Sequence, residues 1–323
     1  MSEVARVQLN ELAMGTTPKD MAQTDEFKSL LQSASDLGLA HDPKVRYVAR
    51  NVVARQVRFN VLEWGPPDAP TILCLHGGHQ SAHSWDLVSL NLAQRYRVIT
   101  PDQRGHGDSE WVRSGAYSND EMAADIIALS ATLGLHRPIV MGHSMGGRNT
   151  LLAAQSEPEL ARALVIVDIG PEISEHGGRA IASFVAANEE FEDLNAFVEN
   201  VRRYDPYRSL EHIERTVRYN LFVRADGKYV SKCDRLPRKL GLTESLRSTA
   251  LSLASVATIR QPVLVVRGGE SRVLEADAAD RFVAALHQGQ LLTVADCSHN
   301  VHSQNTHGFL QAIDSFLATH SSD

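Results

Sequence analysis

The sequence lacks two features that would point to a polymer or a lipid surface as its partner. Basic residues are not in surplus, because 32 Lys and Arg stand against 39 Asp and Glu, a formal net charge of −7. Binding to phosphate backbones needs a basic face. No apolar run approaches the ~20 residues that span a bilayer. We therefore expect a small-molecule substrate as the partner, and neither nucleic acid nor a membrane.

Cysteine is also scarce. Cys74, Cys233 and Cys297 lie far apart in the sequence, and three cysteines cannot all pair within one chain. The first residues lack the basic-then-apolar pattern of a secretory signal. We expect reduced thiols in a cytoplasmic protein.

Short apolar segments typical of strands alternate with helical patterns over most of the chain. The alternation runs through residues 44–169 and resumes over 260–323. It predicts an α/β fold with a mostly parallel central sheet and helices on both faces. Residues 170–259 show helical patterns without a core strand. We expect them to form a helical cap, inserted before the last two strands and lying over the strand ends where such sheets bind ligands.

Residues 1–43 precede this alternation and carry one helical stretch, Asp25 to Leu37. We interpret them as an N-terminal arm. The arm could be partly disordered, dock on the body, or dock on a second subunit of a homodimer. The sequence does not choose among these.

The sequence Gly142-His143-Ser144-Met145-Gly146 contains Gly-x-Ser-x-Gly. An apolar strand pattern precedes it and a helical pattern follows, which is the strand–turn–helix context that this motif requires. Such a turn would hold Ser144 on a strained corner with its hydroxyl exposed. The N-terminus of the new helix would direct backbone N–H groups at charge developing beside it.

The chain from about Val45 to its C-terminus resembles the α/β-hydrolase superfamily, specifically its capped serine-hydrolase branch. Four separated blocks carry the resemblance: His76-Gly77-Gly78, Asp102-Gln103-Arg104-Gly105-His106-Gly107-Asp108-Ser109, Gly142-His143-Ser144-Met145-Gly146 and Ser298-His299. The resemblance implies Ser144 as nucleophile and His299 as base, with His302 and His307, at the start of the final helix, as the alternatives for the base. It also implies an oxyanion hole formed by the backbone N–H groups of Gly78 and Met145.

The acid of the triad departs from the commoner family pattern. The turn after the strand Pro262–Val266, where a carboxylate is usual, reads Gly268-Gly269-Glu270-Ser271-Arg272. Some relatives place the acid after the preceding strand, which here ends at Asp168. We predict Asp168 as the acid and keep Glu270 as the alternative. Asp168 leaves its strand directly, whereas Glu270 follows two glycines and has one more rotatable bond to immobilise.

Candidate substrate contacts come from the two loops and from the cap. His79 follows the predicted oxyanion glycine, and His143 precedes the nucleophile. The second half of the cap is basic, with eleven Lys and Arg against five Asp and Glu between Arg202 and Leu240. These charges could pair with the acidic first half of the cap. Alternatively, four arginines could hold a substrate carboxylate: Arg202, Arg203, Arg208 and Arg224.

These residues predict acyl transfer without a cofactor, on a small or medium carboxylic ester, lactone or amide, with an acidic substrate as one option. The resemblance leaves other uses of the same triad open: hydrolysis of C–C bonds or enamides, and cofactor-free dioxygenation. A ligand receptor without turnover is a third reading, which the intact Ser144 and His299 disfavour. His76, His79 and His83 have metal-like spacing, but no matched cysteine or carboxylate cluster accompanies them, so we expect no metal site.

Overall fold

The computed structural model describes residues 25–187, 190–235 and 251–321. Their strands, in chain order, are β1 (Tyr47–Ala54), β2 (Val57–Trp64), β3 (Thr71–Leu75), β4 (Arg97–Pro101), β5 (Ile139–His143), β6 (Ala163–Val167), β7 (Glu190–Phe191), β8 (Leu221–Val223), β9 (Tyr229–Ser231), β10 (Val263–Gly268) and β11 (Gly289–Val294). Their α-helices are α1 (Asp25–Asp36), α2 (Asp86–Leu92), α3 (Asn119–Thr132), α4 (Met145–Ser156), α5 (Glu175–Ala187), α6 (Leu194–Tyr204), α7 (Leu210–Arg218), α8 (Leu253–Val256), α9 (Ala276–Ala285), α10 (Val301–Gln304) and α11 (Thr306–His320). A short 3₁₀ helix spans Ala82–Trp85.

Eight strands form the central sheet in the order β1-β2-β4-β3-β5-β6-β10-β11. The strands from β4 to β11 in this order pair in parallel, while β2 is antiparallel to both of its neighbours. The central strands β5 and β6 are buried along their whole length, as their continuous apolar sequences require. The predicted mostly parallel α/β sheet is confirmed.

Helices cover both faces of this sheet. One apolar cluster contains side chains of α1, α2 and α11, and the other contains side chains of α3, α4 and α9. The strand β6 lies between β5 and β10. The segments that follow these three neighbouring strands therefore meet at one edge of the sheet, which is where the candidate site lies.

The described part of the arm docks on the body. Phe27 and Leu30 on α1 are each only 2% exposed and belong to the core cluster. The Phe27 ring lies 6.1 Å from that of Tyr47 on β1. Residues 1–24 of the arm lie outside the described residues, and docking on a second subunit stays a prediction.

The cap differs from the all-helical prediction in two respects. Besides α5, α6 and α7 it contains a small antiparallel sheet in the order β7-β9-β8. Strands of two or three residues are too short to show an alternating pattern, although Asp226-Gly227 between β8 and β9 is a hairpin signal, with Gly227 at φ 85°. Residues 251–259, predicted as cap, pack their apolar side chains into the core. Residues 188–189 and 236–250 of the predicted cap lie outside the described residues.

None of the helices in the described part of the chain is both long and apolar enough to cross a bilayer. The three cysteines form no disulfide.

Candidate active site

Ser144 stands at the corner between β5 and α4, with φ 50° and ψ −116°, a sparsely populated backbone conformation. The flanking glycines allow this corner because the backbone segments pass very close to each other. A Cβ on Gly142 would lie 2.5 Å from the carbonyl oxygen of Gly146. A Cβ on Gly146 would lie 2.4 Å from the carbonyl oxygen of Leu75 on β3. The Gly-x-Ser-x-Gly pattern is therefore required by packing at this turn.

Ser144, His299 and Asp168 form one hydrogen-bonded chain. His299 Nε2 lies 2.9 Å from Ser144 Oγ, and His299 Nδ1 lies 2.9 Å from Asp168 Oδ2. A carboxylate only accepts, so Nδ1 must carry the proton that it donates to Asp168. In the neutral imidazole, Nε2 then accepts from the Ser144 hydroxyl, which is the arrangement a general base requires.

Asp168 is the carboxylate that contacts His299. It directly follows β6, is fully buried and has φ 50°. Its Oδ1 accepts from the backbone N–H of Gly268 at 2.9 Å, and its Oδ2 also accepts from Ser271 Oγ. The alternative acid, Glu270, instead accepts from the Tyr207 hydroxyl of the cap at 2.7 Å.

Two further histidines, His143 and His302, lie close to His299 and are held neutral; the His143 ring centroid is 4.8 Å from those of His299 and His302. Burial lowers the pKa of His302 to about 3. Burial, helped by neighbouring histidines, also lowers the pKa of His143 well below its ordinary value. His143 Nε2 donates to the backbone carbonyl of His299 at 2.9 Å. It therefore anchors the loop that carries His299, in addition to lining the cavity.

Gly78 and Met145, the predicted oxyanion donors, lie beside each other and both line the cavity at Ser144. The loop of Gly78 is fixed by Gln80. The Gln80 side chain accepts from the Gly77 N–H at 3.0 Å and donates to Asn300 Oδ1 at 3.0 Å. This bridge joins the loop after β3 to the loop of His299, and sequence reasoning missed it.

A cavity of about 800 Å³ opens onto Ser144 and His299 between the sheet edge and the cap. Its size is in the range usual for small-molecule sites. Apolar side chains form one part of its wall, including Ile169, Ile181, Phe184 and Val185. Polar side chains form another part, including Ser84, Asp205, Arg208, Thr216 and Asn220.

The structure sorts the predicted substrate contacts into two groups. His79 and Arg208 line the cavity together with His143. Arg202, Arg203 and Arg224 are exposed and do not line it, so their prediction as cleft residues was wrong. Arg202 and Arg203 lie off the buried stripe of α6, and Arg224 pairs with Glu190 and Asp226 on the cap surface.

Two arginines that sequence reasoning did not select line the cavity instead. Arg148 is on α4, four residues after Ser144. Residues four apart share a helix face, so the sequence alone could have predicted Arg148 as a neighbour of Ser144. Arg179 is on α5 of the cap and lies 3.3 Å from Glu175; no sequence pattern indicated it. Among the described residues no group of three or more His, Cys, Asp and Glu could hold a metal ion.

Residues 70–306 match the family described as alpha/beta hydrolase fold. The 2-(acetamidomethylene)succinate hydrolase of Mesorhizobium japonicum is 28% identical over 293 residues, which cover 89% of this chain and 99% of that protein. Esterase Rv0045c of Mycobacterium tuberculosis is 27% identical over 308 residues, covering 93% and 98%. The crystal structure of E-2-(acetamidomethylene)succinate hydrolase aligns with a TM-score of 0.77 at 26% identity, covering 84% of this chain and 100% of that one. These relatives are hydrolases, which supports a hydrolase function.

Proposed function

Because the chain belongs to the alpha/beta hydrolase fold family, we propose that it is a cofactor-independent serine hydrolase. Its substrate would be a small or medium carboxylic ester, lactone or amide. The observation that carries the proposal is the hydrogen-bonded chain from Ser144 through His299 to Asp168, which opens onto the cavity.

In the proposed mechanism His299 Nε2 removes the proton of Ser144 Oγ as this oxygen attacks the substrate carbonyl. Asp168 keeps the imidazole in the required tautomer and stabilises the imidazolium. The N–H groups of Gly78 and Met145 donate to the oxyanion. His299 then protonates the leaving group and activates a water molecule that hydrolyses the acyl-enzyme.

The buried surroundings of His299 favour this cycle. His143 and His302 have lowered pKa values because they are buried. They therefore remain uncharged near neutral pH and place no positive charge beside the imidazolium that forms during the reaction. Only His299 among these three histidines contacts Asp168.

A fluorophosphonate probe tests the proposal directly, since it forms a covalent bond with an activated serine. We expect stoichiometric labelling of the wild-type protein at Ser144, with p-nitrophenyl acetate and butanoate as first turnover substrates. Ser144→Ala should abolish labelling and lower kcat by at least ~10³ while the fold survives. Ester turnover within tenfold of wild type in this variant would overturn the proposal. Labelling without turnover of any ester, lactone or amide would favour a receptor.

Hydrolysis of an acidic enamide is a second candidate. A relative that covers most of this chain is named 2-(acetamidomethylene)succinate hydrolase, and Arg148 and Arg179 line the cavity, where they could hold carboxylates. A panel of N-acyl enamides with and without carboxylates separates this candidate from ester hydrolysis.

A further inference from the structure

Gln80 contacts Gly77 with both its side chain and its backbone. Its Oε1 accepts from the Gly77 N–H at 3.0 Å, and its own backbone N–H donates to the Gly77 carbonyl at 3.3 Å. The Gly77 N–H can only donate, so the side-chain atom that faces it must be the amide oxygen. The amide nitrogen then faces Asn300 Oδ1, to which it donates at 3.0 Å. The orientation of the Gln80 amide is therefore determined by its two partners.

The Gly77 carbonyl controls the direction of the predicted oxyanion donor, because both belong to one peptide group. In a trans peptide the Gly77 carbonyl and the Gly78 N–H point in opposite directions, and none of the described peptide bonds is cis. His76 Nδ1 also donates to this carbonyl, at 2.7 Å, since its Nε2 accepts from the Gln103 backbone N–H at 2.9 Å. Among the described residues no acceptor takes up the Gly78 N–H, so it remains available to an oxyanion.

The other partner of the Gln80 amide, Asn300, directly follows His299. The Asn300 carbonyl accepts from the N–H groups of Ser303 and Gln304 at 3.0 and 2.9 Å, so the first turn of α10 holds its backbone. Among the described residues Gln80 is the only partner of the Asn300 side chain. The bridge through Gln80 therefore ties the loop of His299 to the loop of Gly78.

The two loops need such a tie because the sheet does not set their separation directly. They follow β3 and β11, and β5, β6 and β10 lie between these two strands. Acyl transfer requires the oxyanion donors and the imidazole at a fixed separation, and a displacement of about 1 Å can cost roughly 10²-fold in rate.

We infer that Gln80 is a positioning residue, which holds the Gly78 N–H and His299 in register through Gly77 and Asn300. The inference rests on the proposed hydrolase function, because the two groups that it positions are those that the proposed acyl transfer uses.

Gln80→Met tests the inference, because methionine has a similar length but cannot replace the amide as donor and acceptor. We expect kcat for p-nitrophenyl butanoate to fall about 3–30-fold with KM within about twofold, since the positioned groups act on the transition state. Gln155→Met is the matched control: Gln155 Nε2 donates to Ser255 Oγ at 3.1 Å, outside the cavity, so kcat should stay within about twofold. A wild-type kcat in Gln80→Met overturns the inference.

A transition-state analogue separates positioning from a general structural defect. Butyl trifluoromethyl ketone forms a tetrahedral adduct with an activated serine, and its oxyanion would accept from the Gly78 and Met145 N–H groups. In Gln80→Met its inhibition constant should rise by about the factor by which kcat/KM falls. Butyl methyl ketone, which resembles the bound ester, should keep its inhibition constant within about twofold. An unchanged constant for the trifluoromethyl ketone would contradict the inference.

Asn300→Leu breaks only the second half of the bridge. It should lower kcat about 2–10-fold. The double variant Gln80→Met/Asn300→Leu should be no slower than Gln80→Met alone, because variants that break one interaction are not additive. Melting temperatures from circular dichroism check that each variant folds. If the two losses multiply, the residues act independently and the bridge is not the cause.

Hydrogen–deuterium exchange examines the bridge without turnover. Gln80→Met should speed exchange about 3–10-fold in peptides covering residues 76–81 and 298–304, and Gln155→Met in neither. Unchanged exchange over residues 298–304 would show that Gln80 does not hold the loop of His299, which overturns the inference. If the wild type takes no fluorophosphonate label and hydrolyses no ester, the proposed function fails. The catalytic role of Gln80 fails with it, and exchange alone then decides whether Gln80 joins the two loops.

Discussion

Ser271 Oγ donates a hydrogen bond to Asp168 Oδ2, the same oxygen that accepts from Nδ1 of His299. Ser271 lies in the turn after β10, where the commoner members of the superfamily are expected to carry the acid. The backbone N–H of Gly268, at the end of β10, donates to the other Asp168 oxygen. The turn after β10 therefore orients the carboxylate of Asp168, which follows the neighbouring strand β6.

This arrangement predicts that Asp168, and not Glu270, is essential. Asp168→Asn should lower kcat by ~10³–10⁴, because an amide cannot hold the imidazole in the required tautomer. Glu270→Gln should lower kcat by less than ~10-fold, since Glu270 contacts Tyr207 of the cap. Steady-state kinetics on one ester suffice, with circular dichroism as the check on folding. The reverse order of effects would show that the acid was assigned wrongly.

Ser271 should act as a positioning residue. Ser271→Ala removes one of the three hydrogen bonds to Asp168 seen among the described residues and should lower kcat by about 3–30-fold, with KM within about twofold. Ser271→Thr keeps the hydroxyl and should recover most of the activity. If Ala and Thr are equally impaired, the defect comes from packing and the hydrogen bond is not the cause.

The choice of Asp168 over Glu270 was accessible from the sequence because it depends on strand order. Two continuous apolar runs, ending at His143 and Val167, are typical of adjacent buried parallel strands. Residues directly after such strands meet at one edge of the sheet. The backbone thus restricts where Ser144 and Asp168 can lie before any side-chain detail is known.

The cap contacts were less accessible because they depend on which helix face meets the core. On α6, Leu194, Phe197, Val198 and Val201 are buried, a spacing that places Arg203 on the opposite side of the helix and Arg202 at the edge of the buried stripe. This stripe is readable from the sequence and could have removed Arg203 from the candidates. The pairing of Arg208 with Asp205 depends on how the segment between α6 and α7 folds, and sequence patterns do not determine that.

The cavity arginines predict a preference for acidic substrates. Mono-4-nitrophenyl glutarate should have a lower KM than its methyl ester, and the difference should shrink as salt rises. Arg148→Gln or Arg179→Gln should raise KM for the acid about 3–30-fold and leave the neutral ester within about twofold. Arg224→Gln is the control, because Arg224 pairs with Glu190 and Asp226 outside the cavity. Equal KM for both esters at every ionic strength would rule out carboxylate recognition.

Activity should not depend on a metal ion, since every step proposed for Ser144 and His299 uses side-chain and backbone groups. Dialysis against EDTA should leave kcat/KM unchanged within error. If EDTA abolished activity and zinc restored it, the histidines near His76 would have to be reconsidered as ligands.

The buried His302 predicts a loss of stability in mild acid. Both ring nitrogens lack a partner among the described residues, and the ring stacks on Trp85 at 4.1 Å between centroids. Burial, with the nearby Arg208 charge, lowers the pKa of His302 from its ordinary value of 6.5 to about 3. Between these two values the unfolded chain binds a proton that the folded chain does not. The contribution of the neutral His302 to the free energy of unfolding is therefore complete above about pH 6.5. It falls by about 1.4 kcal/mol per pH unit as the pH drops toward 3.

Urea unfolding at pH 7.5, 6 and 5 measures this slope. His302→Phe should keep the free energy of unfolding at pH 7.5, because it removes no hydrogen bond made within the described residues. The slope of this free energy against pH between 6 and 5 should be smaller than in the wild type by about 1.4 kcal/mol per pH unit, the value for one proton. The control is His307→Phe, whose site is exposed at the start of α11; it should retain the wild-type slope. The His302→Phe variant will still lose stability toward pH 5 through His76, whose pKa burial also lowers to about 3. Parallel slopes for wild type and His302→Phe would mean that His302 is already protonated in the folded protein at pH 5, since a proton bound equally by both states contributes no pH dependence.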